Sequence, residues 1–177
     1  LSVDKLAGST FKASGSFGNI GGIPEMSGVR LDAKLNDLSR LFRLLGANAP
    51  LDAKGLGTVT LAGKIDGSAL NPLVDLKLEG AGASIKINGK MSFLPLVGGF
   101  DGNLKVVHAD LARMLKSLGI NYRPGGKLGG LDLESTIKAD LTGLTLGNLK
   151  GQLGPVPVNG TAKILLSGPR TKITADL

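Results

Sequence analysis

A ten-residue segment occurs twice in this chain. Asp37-Leu-Ser-Arg-Leu-Phe-Arg-Leu-Leu-Gly46 returns as Asp110-Leu-Ala-Arg-Met-Leu-Lys-Ser-Leu-Gly119, an offset of 73 residues (110 − 37). An internal period restricts the fold strongly, because repeated units stack on one another and share a core. Each copy reads as a short amphipathic helix. Asp37 and Asp110 are N-cap candidates, since a carboxylate there accepts from free backbone N–H groups at the positive helix end. Leu38, Leu41, Phe42 and Leu45 fall on one face, as do Leu111, Met114, Leu115 and Leu118. Gly46 and Gly119 sit where a helix ends in the left-handed conformation.

A second motif, apolar-any-apolar-Asn/Ser-Gly, gives nearly the same spacing. It appears as Phe11-Lys-Ala-Ser-Gly15, Ile85-Lys-Ile-Asn-Gly89 and Val156-Pro-Val-Asn-Gly160, with offsets of 74 (85 − 11) and 71 (156 − 85). Two independent markers thus predict a unit of about 70 residues: strand, helix, then antiparallel strands joined by short turns. The expected division is one β-rich repeat domain over 1–177, with units near 8–81 and 82–152 and a partial unit 153–177. The abrupt start at Leu1 and stop at Leu177, both in strand-like sequence, suggest a fragment of a longer chain.

Between the markers the chain alternates. Val29, Leu31, Ala33 and Leu35 oppose Arg30, Asp32 and Lys34, which is the period of a half-buried strand. The same pattern places Val59, Leu61 and Ile65 on one face over 57–66. Val74, Leu76 and Leu78 share a face over 73–79, and Ile85, Ile87, Met91 and Phe93 over 84–93. Further strands are expected over 103–109 and over 131–141, the latter with Leu131, Leu133 and Ile137 inward. The pattern recurs over 155–167 with Val156, Val158 and Ile164, and over 171–177. Residues 144–152 read as a shorter, weaker strand, and 18–28 as loop. The expected class is therefore mainly β: a curved antiparallel sheet with an apolar inner face and two short helices. Two helices cannot cover so many strands, so the sheet either folds on itself or curls into a trough.

Composition narrows the function. There are 28 glycines in 177 residues, about 16% against a usual ~7%. Such an excess suits bends and close backbone contacts in a long curved sheet. Aromatic residues make up 3% and there is no Trp, so any core is aliphatic. The net charge of +7 permits an anionic partner. Lys and Arg are scattered singly without interleaved aromatics, however, so nucleic acid is not expected. With no Cys, disulfides, thiolate zinc sites and thiol catalysis are excluded. The run 91–100 contains Pro95, Gly98 and Gly99 and is too short to span a bilayer. His108, the single histidine, has neither a Cys nor a second His as partner, so it reads as a strand-end residue rather than a metal ligand or catalytic base. Asp32, Asp75 and Glu79 read as solvated charges. Gly57 to Lys64 lacks the spacing and following Ser or Thr of a phosphate loop. No nucleophile–base pair is visible, so no enzyme activity, metal or cofactor is expected.

The run Leu144-Thr-Leu-Gly-Asn-Leu-Lys-Gly-Gln-Leu-Gly154, continuing through Val158-Asn-Gly-Thr-Ala-Lys-Ile-Leu-Leu-Ser-Gly-Pro-Arg170 to Ile173-Thr-Ala-Asp-Leu177, resembles the carboxy-terminal region of AsmA-family proteins. The segments at 37 and 110 resemble that family's helix before its Gly-rich strands. The resemblance implies a periplasmic, taco-like β-groove of the bridge-like lipid-transfer kind, TamB-like proteins included. It also implies an amino-terminal inner-membrane anchor absent from this sequence, phospholipid or another acyl lipid as cargo, envelope proteins as further partners, and no catalytic motif. The lining candidates are Val29, Leu31, Leu35, Val59, Leu61, Ile65, Val74, Leu76, Leu78, Ile85, Ile87, Met91, Leu131, Leu133, Ile137, Val156, Val158 and Ile164. Leu41, Phe42, Met114 and Leu115 are candidates for gating. The competing expectation is a non-catalytic structural or outer-membrane-assembly domain with a closed, dry core.

Overall fold

The computed structural model describes residues 2–6, 9–19, 21–36, 57–93, 98–117, 128–165 and 172–176. These form β1 (Ser2–Leu6), β2 (Ser9–Gly18), β3 (Glu25–Leu35), β4 (Val59–Ser68), β5 (Leu73–Gly80), β6 (Ala83–Ser92) and β7 (Gly99–His108). Then come the helix α1 (Leu111–Ser117), β8 (Leu131–Asp140), β9 (Gly143–Leu153), β10 (Val156–Leu165) and β11 (Lys172–Asp176). The strands make one antiparallel sheet in strict sequence order, β1 through β11. At ~4.8 Å per strand and ~3.4 Å per residue, this is a ribbon about 48 Å across and about 34 Å tall.

The sheet is open. Every extensive contact between elements joins ladder neighbours, so among the described residues no strand packs back on another to make a sandwich or barrel. Such a meander follows from the sequence: short turns join consecutive strands, and sequential strands pair by default. The turns carry the required chemistry. In the β8–β9 turn, the Asp140 carboxylate accepts from the Thr142 N–H (2.7 Å), the Thr142 hydroxyl (2.5 Å) and the Gly143 N–H (3.1 Å).

Two of the strands that run longer than the sequence pattern predicts do so around a bulge. β3 begins at Glu25 rather than Val29, because a bulge interrupts its alternation. Register runs Met26↔Gly67 and then Val29↔Ile65, with Gly28 at φ 59° supplying the extra residue. Its N–H donates to Asp66 Oδ1 (2.6 Å). β9 is a full strand of eleven residues, not a weak one. Its bulge at 147–149, with Asn148 at φ 50°, shifts the inward residues from Leu144 and Leu146 to Leu149 and Gly151. β7 also starts earlier than expected, at Gly99.

The repeated sequence markers fall at regular places. The three Gly-ended motifs lie in β2, β6 and β10. The two long connections, each carrying a copy of the ten-residue segment, follow β3 and β7. Phe11 and Ile85 share one register row, whereas Val156 sits one row nearer its strand end. The first copy, 37–46, lies outside the described residues, and with it Leu41 and Phe42. Residues 111–117 of the second copy form α1, and Leu118 and Gly119 lie outside the described residues. Asp110 caps the helix as expected, accepting from the Arg113 N–H at 3.0 Å.

Candidate lipid-binding face

Residues directly opposed across a ladder share a face of the sheet. Following the register through all the ladders puts every strand candidate on the same face. One row runs Phe11, Ala33, Leu61, Leu78, Ile85, Val106, Leu133, Gly151, Val158, from β2 to β10 without a polar side chain. Beside it lies Ala13, Leu31, Gly63, Leu76, Ile87, Leu104, Ser135. A third row holds Val29, Ile65, Val74, Gly89, Gly102, Ile137, Leu146, Ala162. Leu35, Val59, Leu131 and Val156 lie in the row at one strand end, and Met91 and Ile164 in the row near the other.

The burial of this face separates its frame from its lining. Val29, Leu35, Val59, Val74, Leu131 and Leu149 are buried. Leu31, Leu61, Ile65, Leu76, Leu78, Ile85, Ile87, Met91, Leu133, Ile137, Val158 and Ile164 are half-buried, and Val156 is exposed. In a single-layer sheet, neighbours cover the flanks of a side chain but not its tip. Glycines thin the lining further. Gly89 and Gly102 oppose one another, and a Cβ at Gly102 would come within 2.7 Å of the Gly89 Cα. The Phe100 ring closes the gap, since a Cβ at Gly89 would meet its Cζ at 2.9 Å. On this face, a hollow of about 110 Å³ lies between Phe11, Ala13, Leu31, Ala33 and Leu61. That is below the ~300–1,000 Å³ of an enclosed ligand site.

The sequence pattern missed Leu104 and Val106 in β7 and Leu144, Leu146 and Leu149 in β9. Leu104 and Val106 do alternate with Asn103 and Lys105, a signal available in the sequence. In β9 the bulge hides it. Ser135 and His108 are buried polar residues of this face, and the Ser135 hydroxyl donates to the Gly147 carbonyl at 2.9 Å.

The other face is polar. Lys77, Lys86 and Lys105 stand directly opposite one another across β5, β6 and β7. Like charges in register repel, and carboxylates relieve two of them. Lys77 pairs with Glu79 and Lys105 with Glu134, both at 2.5 Å. The Glu134 hydrogen bond, reinforced by the Asp132 charge, raises the Lys105 ammonium above the usual lysine value. The same bond holds Glu134 below the usual carboxylate range. Asp32, Asp75 and Glu79 are exposed on this face, as the alternation predicts.

His108 closes β7 as a structural residue. It is buried, and its Nδ1 accepts from the Asp110 N–H at 2.9 Å. The ring is therefore the tautomer whose Nε2–H donates to the Ala81 carbonyl, also at 2.9 Å. This ties the β5–β6 turn to the start of α1. In the helix, Leu111 is buried and the gate candidates Met114 and Leu115 are half-buried.

Comparison of the chain with protein-family models, with curated proteins and with solved structures finds no match.

Proposed function

We propose that this chain is an AsmA-like lipid-binding module, which holds acyl chains along an apolar β-lining and serves phospholipid transfer between the inner and outer membranes. The observation that carries the reading is the apolar row from Phe11 to Val158, continuous over the ladders from β2 to β10 and half-open to its surroundings. Each methylene moved from water into such a lining is worth about 0.8 kcal/mol. A phospholipid with roughly 30 chain methylenes would otherwise cost well over 20 kcal/mol to carry through water. A continuous lining lowers that barrier along its whole length, and an interruption by one charged row would restore it.

Two finer features belong to the proposal. The first is a four-strand repeat, supported by the Gly-ended motif in β2, β6 and β10 and by the long connections after β3 and β7. The second is a trough, produced as the twist of each strand accumulates along an open sheet. The resemblance to the AsmA family supplies the rest: a periplasmic site, an inner-membrane anchor in the full protein, and a role by binding rather than catalysis. Loading with a radiolabelled fatty acid tests the reading. Leu76→Asp and Ile87→Asp place a charge in the middle of the lining and should abolish loading while far-UV circular dichroism stays native. Loading that persists in such folded variants would count against the lining.

A further inference from the structure

The polar face carries a charge conflict that the fold leaves standing. Lys86 on β6 is in register between Lys77 on β5 and Lys105 on β7, and like charges directly opposite one another destabilise a sheet. Glu79 relieves Lys77. Glu134 relieves Lys105, with Asp132 further off at 3.8 Å. Lys150 on β9 stands opposite Glu134, whose carboxylate is bonded to Lys105 instead. Asp75, the other carboxylate of this region, faces Lys64 across the β4–β5 ladder. Lys64, Lys77, Lys86, Lys105 and Lys150 thus stand against Asp75, Glu79, Asp132 and Glu134. Among the described residues, no carboxylate lies within ion-pair distance of Lys86 or Lys150. Natural sequences keep such a local inconsistency mainly where function uses it.

Both lysines line one open hollow of about 400 Å³ that crosses β6 to β9, a volume within the ~300–1,000 Å³ of ligand sites. They stand on its outermost strands, three ladders or about 14 Å apart at the backbone. Amide and hydroxyl groups lie between them. Asn103 Nδ2 donates to Asn88 Oδ1 at 3.1 Å, which leaves the Asn88 amino group as a donor and the Asn103 carbonyl as an acceptor. Asn148, in the β9 bulge at φ 50°, also lines the hollow, as a bulge re-aims a side chain. The Thr136 hydroxyl holds that bulge by donating to the Gly147 carbonyl at 2.9 Å.

We propose that this hollow binds a polyol with a carboxylate at each end, the chemistry of an aldaric acid. One unpaired ammonium at each end selects two separated single negative charges. The amide donors and acceptors between them match hydroxyl groups, which both donate and accept. Lys105 and Glu134, also between them, neutralise one another and leave the uncharged middle of the ligand undisturbed. The ligand is water-soluble, because the hollow lies on the polar face and an acyl chain held along the lining is on the other side of the sheet.

This goes beyond acyl-chain binding and does not depend on it. An amide NMR titration of the chain with glucarate tests it. Shifts should be confined to β6–β9, with half-saturation at about 1 mM. Gluconate, which has one carboxylate, should bind about fivefold more weakly. Adipate, which has both carboxylates and no hydroxyl, should also bind more weakly. Lys86→Met and Lys150→Met should each lower glucarate affinity about fivefold and remove the preference over gluconate. Lys12→Met, on the same face in β2, should leave affinity unchanged. Without ligand, Lys86→Met should unfold at a higher urea concentration than wild type, because the in-register repulsion is gone. The proposal is overturned by absence of shifts at about 10 mM glucarate, by equal affinity for the three ligands, or by equal loss in Lys12→Met and Lys86→Met. A Lys86→Met chain less stable than wild type would also overturn it, because the fold itself would then supply a partner for Lys86. Loss of fatty-acid loading in Leu76→Asp with glucarate binding intact separates the two proposals.

Discussion

Truncating Ile87 to alanine should cost much less stability than its position in the sheet centre suggests. Ile87 lies between Leu76 and Leu104 in the middle of the lining, yet it is half-buried. Removing a fully enclosed Ile side chain costs about 2–5 kcal/mol, from lost transfer free energy and the cavity left behind. On a face with no second layer, only the flanks of the side chain are lost, and water fills the space at its tip. About half the transfer term and little of the cavity term remain, or ~1–1.5 kcal/mol. Val74 provides the internal standard. It is smaller but 5% exposed, in a neighbouring row of the same face, and Val74→Ala should cost about 2–3 kcal/mol. Urea unfolding followed by far-UV circular dichroism suits a chain with no Trp and one Tyr. The expected order, Val74→Ala worse than Ile87→Ala, inverts the order of side-chain size. A cost near 4 kcal/mol for Ile87→Ala would refute the reasoning, because it would mean that a second layer covers the lining.

Three further perturbations follow from the geometry. His108→Phe removes the partner of both the Ala81 carbonyl and the Asp110 N–H and should destabilise by about 2 kcal/mol, with amide exchange accelerating first at the β5–β6 turn and the start of α1. Gly102→Ala drives a Cβ against the β6 backbone, so it should cost about 1–3 kcal/mol and raise exchange along the β6–β7 ladder; unchanged exchange would contradict the close approach of Gly89 and Gly102. Asp140 is held below the usual carboxylate range, chiefly by the Thr142 hydroxyl and then by backbone N–H groups. Its contribution is therefore present above the unfolded carboxylate pKa of about 4 and is lost as pH falls through the lower folded value. The stability gap between wild type and Asp140→Ala should close on acidification from about pH 4 downward, and a gap independent of pH would contradict the turn assignment.

The lining was legible wherever the strands keep strict period two. From Val29 to Leu35 and from Leu73 to Ile87 the alternation alone selects the face that the register assigns. It failed at two bulges. Gly28 and Asn148 each insert one residue, so the inward set jumps by three positions instead of two, and the β9 strand looks weaker than it is. The cap of α1 was also legible, because Asp110 precedes an apolar face at helical spacing. The place of His108 at a strand end was legible, but not its bonding. Its bond to the Ala81 carbonyl spans 27 residues, which no local pattern encodes.

The most direct test is extraction of the chain, purified from its bacterial host without detergent, with chloroform and methanol, followed by mass spectrometry of the organic phase. The account predicts phospholipid in reproducible ratio to protein for wild type, and its loss in folded Ile87→Asp. Preparations that carry no phospholipid, and that take up none when incubated with vesicles, would contradict it.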